Sequence, residues 1–415
     1  MVFNTIKIGF LLGLWQLKRT NIWTTLLIIF VMTLTFLNLV VVSGILIGLV
    51  QGSSDSYQRQ YSSDILIKEP PFTRYISDGN SISAMARVIP GVEAVSVRYI
   101  EGGVVQSDIS KNVKPNEKIP QAAASIVGID PVREDNVTEL SKLIVDGQYF
   151  ANSQYNSAVI GSGILSQYNP NAILGETLEN VRAGSKIRLL LNEGFIDLKI
   201  KGVVKSKVGE VNRRIYIDRD FFLQLYERSF NNPNEIAIRI NPEAAVGPIK
   251  KSLESSAGSG ALVQTGEESQ GSFLKDIMMT FSLLGGVIGG IALLVSSITI
   301  FIVIFINALT RKKYIGILKA IGIQDSVIII SYLVQALFYS AVGIMAGLTV
   351  LYGLIKPYFD ANPINFPFSD GILAVTVSGT LLRAAILIMA TLAAGILPTL
   401  LIVRKNTLNL ILGRE

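Results

Sequence analysis

The chain has 415 residues, of which half are apolar and only 16 % are charged, and its mean hydropathy is +0.47. This composition is too apolar and too weakly charged for an ordinary soluble domain, so a membrane protein is expected. The sequence contains neither Cys nor His. Their absence excludes disulfide frameworks, thiolate or imidazole metal sites, and Ser-His or Cys-His catalysis.

Four stretches of the chain are long and apolar enough to cross a hydrocarbon core of about 30 Å. In chain order they are 22–50, 276–309, 327–355 and 381–403. Residues 1–21 have apolar side chains at helical spacing and predict an interfacial elbow helix in the headgroup plane. The first span is too long for a signal peptide, which has an apolar region of about 7–15 residues. The sequence therefore predicts one transmembrane helix before a long polar segment and three after it.

The fourth span has a cation, Arg383, near its start. The alternating residues 372–378 indicate a strand, and a helix that begins near Leu381 leaves Arg383 at the membrane interface. From there a long cationic side chain can reach the headgroups. We interpret Arg383 as an interfacial anchor.

The distribution of charge predicts the orientation of the chain. Residues 1–21, 310–326 and 404–415 together contain ten Lys and Arg against two acidic residues, whereas 51–275 contains 25 Lys and Arg against 26 Asp and Glu. Because cytoplasmic segments have the excess of Lys and Arg, both termini and the 310–326 loop are predicted to be cytoplasmic. Residues 51–275 and the 356–380 loop are then extracytoplasmic, and nucleic-acid binding is not expected.

Residues 51–275 are predicted to form a large α+β extracytoplasmic domain. Strand–helix–strand units in 62–106 and 232–268 are expected to pack as one split βαβ layer, with the helix of the second unit starting at Pro242. Between them, 107–231 has the turn spacing of a β-rich insertion. The elements predicted in this insertion are strands at 125–129, 157–161, 186–191, 195–205 and 214–218, a helix at 220–226, a loop at 111–120 and a hairpin turn at 192–194.

Three short patterns in this domain resemble known motifs without matching them. Residues 161–163 lack the spacing of a GxSxG nucleophile elbow, and residues 183–186 lack the spacing of a phosphate-binding loop, so both are predicted to be turns. The acidic residues Asp130, Glu134, Asp135 and Glu139 do not follow the EF-hand pattern, and we interpret them as a solvated helix start or loop. We therefore expect no catalytic residue, no metal and no cofactor bound by this chain.

Glycine pairs in the second and third spans predict close helix packing. They are Gly285 with Gly289, Gly286 with Gly290, and Gly343 with Gly347. The first three spans have no ionisable residue at mid-membrane, and the hydropathy shows no inverted repeat. An ion channel or a proton-coupled carrier is therefore not expected.

The loop after the second span reads RKKYIGILKAIG over residues 311–322. This segment resembles the RxxEIGxLKAxG signature of the coupling helix in the MacB/FtsX superfamily of ABC permeases. The resemblance extends to the arrangement of one plus three spans and to residues 90–92, 127–131, 160–162 and 395–398. The layout, with no fused nucleotide-binding domain, is similar to LolC/LolE-like and stand-alone MacB-type permeases.

The resemblance implies a multi-pass permease in the bacterial inner membrane, paired with a second permease chain as a homo- or heterodimer. Two copies of a separate ABC ATPase would bind the ATP, so this chain would have no enzymatic activity of its own. Closure of the ATPase would move the extracytoplasmic domain, a mode called mechanotransmission, to export or extract an amphiphile, peptide or lipoprotein. The alternative is an FtsX-like signalling permease that activates a cell-wall hydrolase and moves no substrate.

Matched position by position, the resemblance assigns a set of residues to the coupling helix in the ATPase groove. They are Arg311, Ile315, Gly316, Leu318, Lys319, Ala320 and Gly322. A short amphipathic helix with a basic edge is suited to such a groove. The chain departs from the family at Tyr314, which replaces the Glu of the signature, and at Thr407 and Leu412, which replace the Pro and Arg of the family's tail.

Overall fold

A computed structural model describes residues 2–107, 120–150, 154–169, 176–191, 194–362, 364–366, 369–371 and 373–404. Residues 111–119 of the predicted loop 111–120, the turn residues 192–193 and the tail from residue 405 lie outside these ranges. The chain divides into two compact units. We call them the membrane unit (Met1–Val50, Asp276–Asn365 and Asp370–Glu415) and the sheet unit (Gln51–Lys275 and Phe366–Ser369).

Helices make up most of the membrane unit and connect the strands of the sheet unit. The α-helices of the described residues are α1 (Val2–Lys18), α2 (Ile22–Tyr57), α3 (Gly79–Val88), α4 (Pro131–Thr138), α5 (Gly209–Asn212), α6 (Arg219–Leu225), α7 (Val246–Ala257), α8 (Ser272–Thr310), α9 (Lys312–Ala320), α10 (Asp325–Val350), α11 (Lys356–Ala361) and α12 (Val377–Val403). A turn of π-helix extends α2 over Gln58–Ser62 and α10 over Leu351–Ile355.

The strands lie almost entirely in the sheet unit. They are β1 (Ile65–Lys68), β2 (Val92–Gln106), β3 (Gln121–Ile129), β4 (Ile144–Gly147), β5 (Ser157–Gly161), β6 (Lys186–Leu191), β7 (Gly194–Val204), β8 (Arg214–Asp218), β9 (Glu235–Ile240), β10 (Leu262–Thr265), β11 (Ile364–Phe366) and β12 (Ser369–Gly371).

Four helical segments of the described residues are long and apolar enough to cross a membrane. They are Ile22–Ser62, Met279–Thr310, Asp325–Ala361 and Val377–Val403. Their number agrees with the four spans predicted from hydropathy, and their backbone hydrogen bonds are satisfied within each helix, as hydrocarbon requires. The chain is therefore an α-helical membrane protein with an added α+β unit.

The start of α12 corrects one prediction. Residues 373–376 do not form a strand, and the helix begins at Val377 rather than near Leu381. Thr376 sets this start, because its Oγ1 accepts a hydrogen bond from the amide of Gly379 at 3.2 Å. A threonine cap of this kind satisfies one of the free amides of the first helical turn. Arg383 thus lies in the second turn of α12.

The core of the membrane unit forms around the middle of α2. Met32 and Phe36 of this helix are fully buried, together with Ile300 of α8, Tyr332 of α10 and Leu387 of α12. The opposite sides of α2 and α8 keep large apolar side chains exposed, as expected of helices that face lipid or another membrane helix.

The strands β1 to β10 form one mixed sheet. Its order is β10-β1-β9-β2-β3-β8-β5-β7-β4, and β6 pairs with both β2 and β7. The long strand β2 joins the two parts of the sheet, since its first half pairs with β9 and its second half with β3 and β6. The predicted β-rich insertion 107–231 therefore continues the same sheet.

Helices α3 and α7 cover the part of the sheet that contains β1, β2, β9 and β10, with Ile82 and Leu253 in the core between them. The prediction that the second helix starts at Pro242 is wrong, because α7 starts at Val246. Asn241 forms a turn there instead: its side chain accepts from the amide of Glu243 at 3.0 Å, and its carbonyl accepts from Ala244 at 2.8 Å. Asn commonly stabilises turns in this way.

Candidate functional site

The segment that carries the family signature folds as a short helix with a well-defined end. Helix α9 is followed by Gly322, whose φ of +89° is a conformation that favours glycine. The amide of Gly322 donates to the carbonyl of Lys319 and the amide of Ile323 donates to that of Leu318, both at 3.0 Å. This pair of bonds is a Schellman motif, and Ile323 packs against the core cluster to which Leu318 belongs. The signature glycine thus fixes where α9 stops.

One face of α9 packs into the membrane unit. Ile315, Gly316 and Leu318 are all buried, and Ile315 and Leu318 belong to the core of that unit. These three residues were predicted to enter an ATPase groove. In this conformation they hold α9 against its own chain, so they do not form the accessible face of the helix.

Lys319 also holds α9 in place. Its Nζ donates to the carbonyl oxygen of Val403, the last residue of α12, at 2.6 Å and lies 3.2 Å from Asp325 Oδ1. The side chain is only 15 % exposed. A cation at a helix C-terminus satisfies a carbonyl that has no partner within the helix. Lys319 is therefore an anchor between α9 and α12.

The accessible face of α9 is apolar with a basic edge. Tyr314 is 36 % exposed, Ile317 51 % and Ile321 70 %. Their spacing of three and four residues puts them on one side of the helix. Lys313 and Ala320 are also exposed, as is Gly322, while Arg311 is half-buried before the first turn. We call Tyr314, Ile317 and Ile321 the exposed stripe.

Matching to the family signature did not single out the exposed stripe. Helical periodicity does indicate a second apolar face of α9, because apolar residues recur at 314, 317 and 321 as well as at 315 and 318. The sequence alone does not say which of these two faces meets the rest of the chain. Burial in the folded unit decides the question.

The predicted packing glycines approach α2. A Cβ on Gly343 would lie 2.4 Å from Met32 Cβ, and one on Gly347 would lie 2.5 Å from a ring carbon of Phe36. On α8, a Cβ on Gly285 would meet Leu46 at 2.7 Å, whereas one on Gly289 would make an ordinary contact of 3.5 Å with Leu39. The glycines of α10 therefore allow the closer approach.

The sheet unit has a buried ionic cluster that the sequence analysis did not identify. Arg98 on β2 binds both carboxylate oxygens of Glu134, with Nη2 at 2.7 Å and Nε at 3.0 Å. Arg214 on β8 binds both oxygens of Glu235 at 2.8 and 3.1 Å, and Arg98 also contacts Glu235 at 3.1 Å. The hydroxyl of Tyr61, at the end of the helix that continues α2, donates to Glu235 at 2.6 Å. We call these five residues the ionic cluster.

The electrostatics of the ionic cluster are balanced by its own members. Burial opposes the ionisation of Glu235, but Arg214 and Arg98 outweigh it and hold the pKa of that carboxyl well below its usual range. Burial also raises the pKa of Glu134, but the charge and hydrogen bonds of Arg98 outweigh it, so the pKa of Glu134 is lowered as well. Two cations face two anions with bidentate geometry, so the cluster needs no added ion.

The cluster corrects the interpretation of the acidic residues around α4 as solvated. Glu134 is 2 % exposed and belongs to the ionic cluster. The other three residues bind nearby groups: Asp130 caps α4, Asp135 accepts from Ser141, and Glu139 pairs with Lys142 and Arg239. Among the residues that the structure describes, no group of three or more acidic side chains could hold a metal ion.

The turn motifs make structural hydrogen bonds. Ser162 Oγ donates to Asn212 Oδ1 at 3.1 Å, and the amide of Ala183 donates to Asp146 Oδ2 at 3.0 Å. Both interactions fix local backbone in the sheet unit. Neither is an arrangement of nucleophile and base.

Comparison with known proteins finds a family that the C-terminal part of the membrane unit resembles. Residues 286–407 match the family model described as FtsX-like permease, C-terminal. This range includes most of α8 and all of α9, α10 and α12. No curated protein sequence matches the chain.

Similar solved structures cover about half of the chain. The periplasmic region of MacB from Actinobacillus actinomycetemcomitans has 12 % identity and a TM-score of 0.35, and covers 50 % of this chain and 90 % of its own. The extracellular domain of the noncanonic ABC-type transporter YknZ from Gram-positive bacteria has 13 % identity and a TM-score of 0.33, with 49 % and 98 % covered. With TM-scores this low, these structural likenesses carry no argument about function. The family-model match shows that residues 286–407 are similar to the C-terminal region of FtsX-like permeases.

Proposed function

We propose that the chain is the membrane subunit of an ABC transporter in which α9 docks a separate ATPase. ATP hydrolysis in the partner would change the conformation of the sheet unit, and the complex would export or extract an amphiphile, peptide or lipoprotein. Two ATPase copies and a second permease chain complete the complex. The chain itself binds no nucleotide and performs no catalysis in this account.

The exposed stripe of α9 is the observation that supports this proposal. An apolar face lies on the short helix α9, which connects the membrane helices α8 and α10. It consists of Tyr314, Ile317 and Ile321, with Lys313 beside it. In the predicted orientation this face points into the cytoplasm, where the ATPase is located. Helices of this kind bind by laying their apolar face into a groove of the partner.

The anchoring of α9 suits it to transmit force. Leu318 and Ile315 fix it in the core, and Lys319 ties it to the end of α12. A partner that moves α9 would therefore move the membrane helices with it, because packed elements shift as rigid bodies. For the sheet unit we propose that its two strand–helix–strand halves act as one split βαβ layer, which the strand order β10-β1-β9-β2 supports.

A single charge on the exposed stripe tests the proposal. The variant Ile317→Asp puts a carboxylate where the groove is apolar, while leaving the buried face of α9 intact. Val88→Asp is the control, because Val88 is 77 % exposed at the end of α3 in the sheet unit. Both are co-expressed with the cognate ATPase, and the co-purified ATPase and its hydrolysis in membrane vesicles are measured.

We expect Ile317→Asp to lose the ATPase at least tenfold and Val88→Asp to retain it. Equal recovery of the ATPase with both variants would contradict docking through α9. Recovery of a cell-wall hydrolase with the wild-type complex, without substrate movement, would instead favour the FtsX-like signalling alternative.

A further inference from the structure

The membrane unit contains a groove of about 390 Å³ between α2, α8 and α12. Its walls are mainly apolar and include Leu39 and Leu46 of α2, Phe281 and Gly286 of α8, and Ile386 of α12. Arg383 of α12 also lines it and is the one charged residue among the described residues of its wall. A concave apolar site with one charged group is typical of ligand-binding pockets.

The groove exists because four glycines, at 285, 286, 289 and 290, interrupt the side chains along one side of α8. A Cβ placed on Gly286 or Gly290 would meet no atom within 4 Å. The lining residues of α8 run from Phe281 to Leu293, which corresponds to about 18 Å along the helix. The space is therefore long and narrow, as an extended hydrocarbon chain would require.

Arg383 has no partner within the part of the chain that the structure describes, since no hydrogen bond or ion pair involves its side chain there. Its guanidinium lies close over Gly379, where a Cβ would be only 2.8 Å from Arg383 Nη1. The side chain therefore runs back along α12 toward the start of the helix, as helical side chains do.

The position of Arg383 along α12 corresponds to the edge of the hydrocarbon. The 27 residues of α12 span about 40 Å, and Arg383 lies about 9 Å from the first of them. A hydrocarbon core of about 30 Å leaves roughly 5 Å of helix at each end. The side chain then brings its guanidinium to the level of the headgroup phosphates.

An arginine at this level without a protein partner is suited to a phosphate. Its planar fork of donors matches phosphate oxygens in pairs, and such charge-assisted bonds are stronger than neutral ones. The apolar groove beside it offers a place for an acyl chain, which a free anion would not fill. Charge and shape together favour a ligand with an anionic head and a long apolar tail.

We infer that this groove binds an anionic phospholipid of the surrounding bilayer. The phosphate accepts hydrogen bonds from Arg383, and one acyl chain lies along Gly286 and Gly290 of α8. The site concerns the permease chain alone and does not depend on the proposed docking of an ATPase. A second copy of the chain that covered the groove would exclude the lipid, and this is an outcome of the test.

The experiment is native mass spectrometry of the purified full chain in detergent, titrated with dioleoyl phosphatidylglycerol or dioleoyl phosphatidylcholine. Arg383→Gln removes the charge, and Arg404→Gln makes the same change at the other end of α12. Gly286→Leu fills the groove, and Gly353→Leu is its control, because a Cβ on Gly353 also meets no atom within 4 Å but lies outside the groove. The thermal stability of each variant confirms that it is folded.

We expect the wild-type chain to bind phosphatidylglycerol at least tenfold more tightly than phosphatidylcholine, and Arg383→Gln to lose that preference. Gly286→Leu should weaken the binding of phosphatidylglycerol, and both controls should behave as wild type. The inference is overturned if the wild type binds the two lipids equally or if Arg383→Gln keeps the preference. If Gly286→Leu binds phosphatidylglycerol as tightly as the wild type, the placement of the acyl chain is overturned. If the chain forms a dimer that binds no lipid, the groove is covered by a second copy and the inference is overturned.

Discussion

Lys319 Nζ lies 2.6 Å from the carbonyl oxygen of Val403 and so joins the signature helix α9 to the end of the last membrane helix. The bond is formed by a signature residue, yet it points into the chain rather than toward a partner. In this protein the segment 311–322 thus contains two kinds of residue. Ile315, Leu318 and Lys319 fix the helix, and the exposed stripe remains free to contact another protein.

Removal of the Lys319 amine should loosen α9. Lys319→Met keeps the length of the side chain but loses the hydrogen bond to Val403 and the contact with Asp325. A bond to a charged group contributes about 1.5–3 kcal/mol, so amide hydrogen exchange in α9 should become at least about tenfold faster. Lys313→Met is the control, because Lys313 is exposed. Equal exchange in both variants would show that Lys319 does not hold the helix.

Close packing of α10 on α2 predicts a steric effect at Gly343. In Gly343→Ala the added Cβ lies 2.4 Å from Met32 Cβ and 3.3 Å from the backbone of α2, so the two helices must separate. Overpacking of this kind costs about 1–3 kcal/mol. Gly286→Ala adds the same methyl group in open space and should not destabilise the chain. Thermal unfolding in detergent compares them, and an unchanged midpoint for Gly343→Ala would refute the predicted contact.

Acid should destabilise the sheet unit through Glu134 and Glu235. Their pKa values are lower in the folded chain than in an unfolded one, where a Glu titrates near 4.3. The folded state therefore gains stability above that pH and loses it progressively as the pH falls from there toward the folded pKa values. The amide protection of β2, β8 and β9, corrected for intrinsic exchange, should decrease over this range.

Variants of the ionic cluster test the origin of this acid dependence. Glu235→Gln leaves Arg98 and Arg214 partly unbalanced in a buried site, and it should destabilise the sheet unit by about 3–5 kcal/mol at neutral pH with a weaker response to acid. Glu93→Gln changes an exposed residue of β2 and should have neither effect. If Glu235→Gln and the wild type lose stability equally at low pH, the acid dependence does not come from the ionic cluster.

The predicted orientation can be tested because the chain has no Cys. A single cysteine at Val88, which is 77 % exposed, should react with a membrane-impermeant maleimide in intact cells. A cysteine at Ile317 should react only after the membrane is opened. Labelling of Ile317→Cys from outside would invert the predicted topology.

Local sequence signals located many elements of the fold. Apolar runs predicted the four long helices, because a span of lipid needs a continuous apolar surface. Strands β5 and β8 lie where turn spacing predicted them, and β9 lies within the predicted unit 232–268. The start of α7 was misplaced because Pro242 belongs to a turn that Asn241 forms.

The long-range contacts could not be read from the sequence. Arg98 and Glu134 are 36 residues apart, and Arg98 and Glu235 are 137 residues apart, so neither pair has a local signature. Glu134 therefore looked like one of several solvated acidic residues. The accessible face of α9 was missed for the same reason, because the burial of Leu318 depends on other membrane helices.

The accessibility of Ile317 in the presence of the ATPase tests most directly whether the ATPase docks on the exposed stripe of α9. Ile317→Cys and Asn21→Cys, both exposed on the predicted cytoplasmic side, are labelled with a maleimide in inverted membrane vesicles with and without bound ATPase. We expect a bound ATPase to slow the labelling of Ile317→Cys at least tenfold and to leave the labelling of Asn21→Cys unchanged. Equal labelling of Ile317→Cys with and without a bound ATPase would contradict docking through α9.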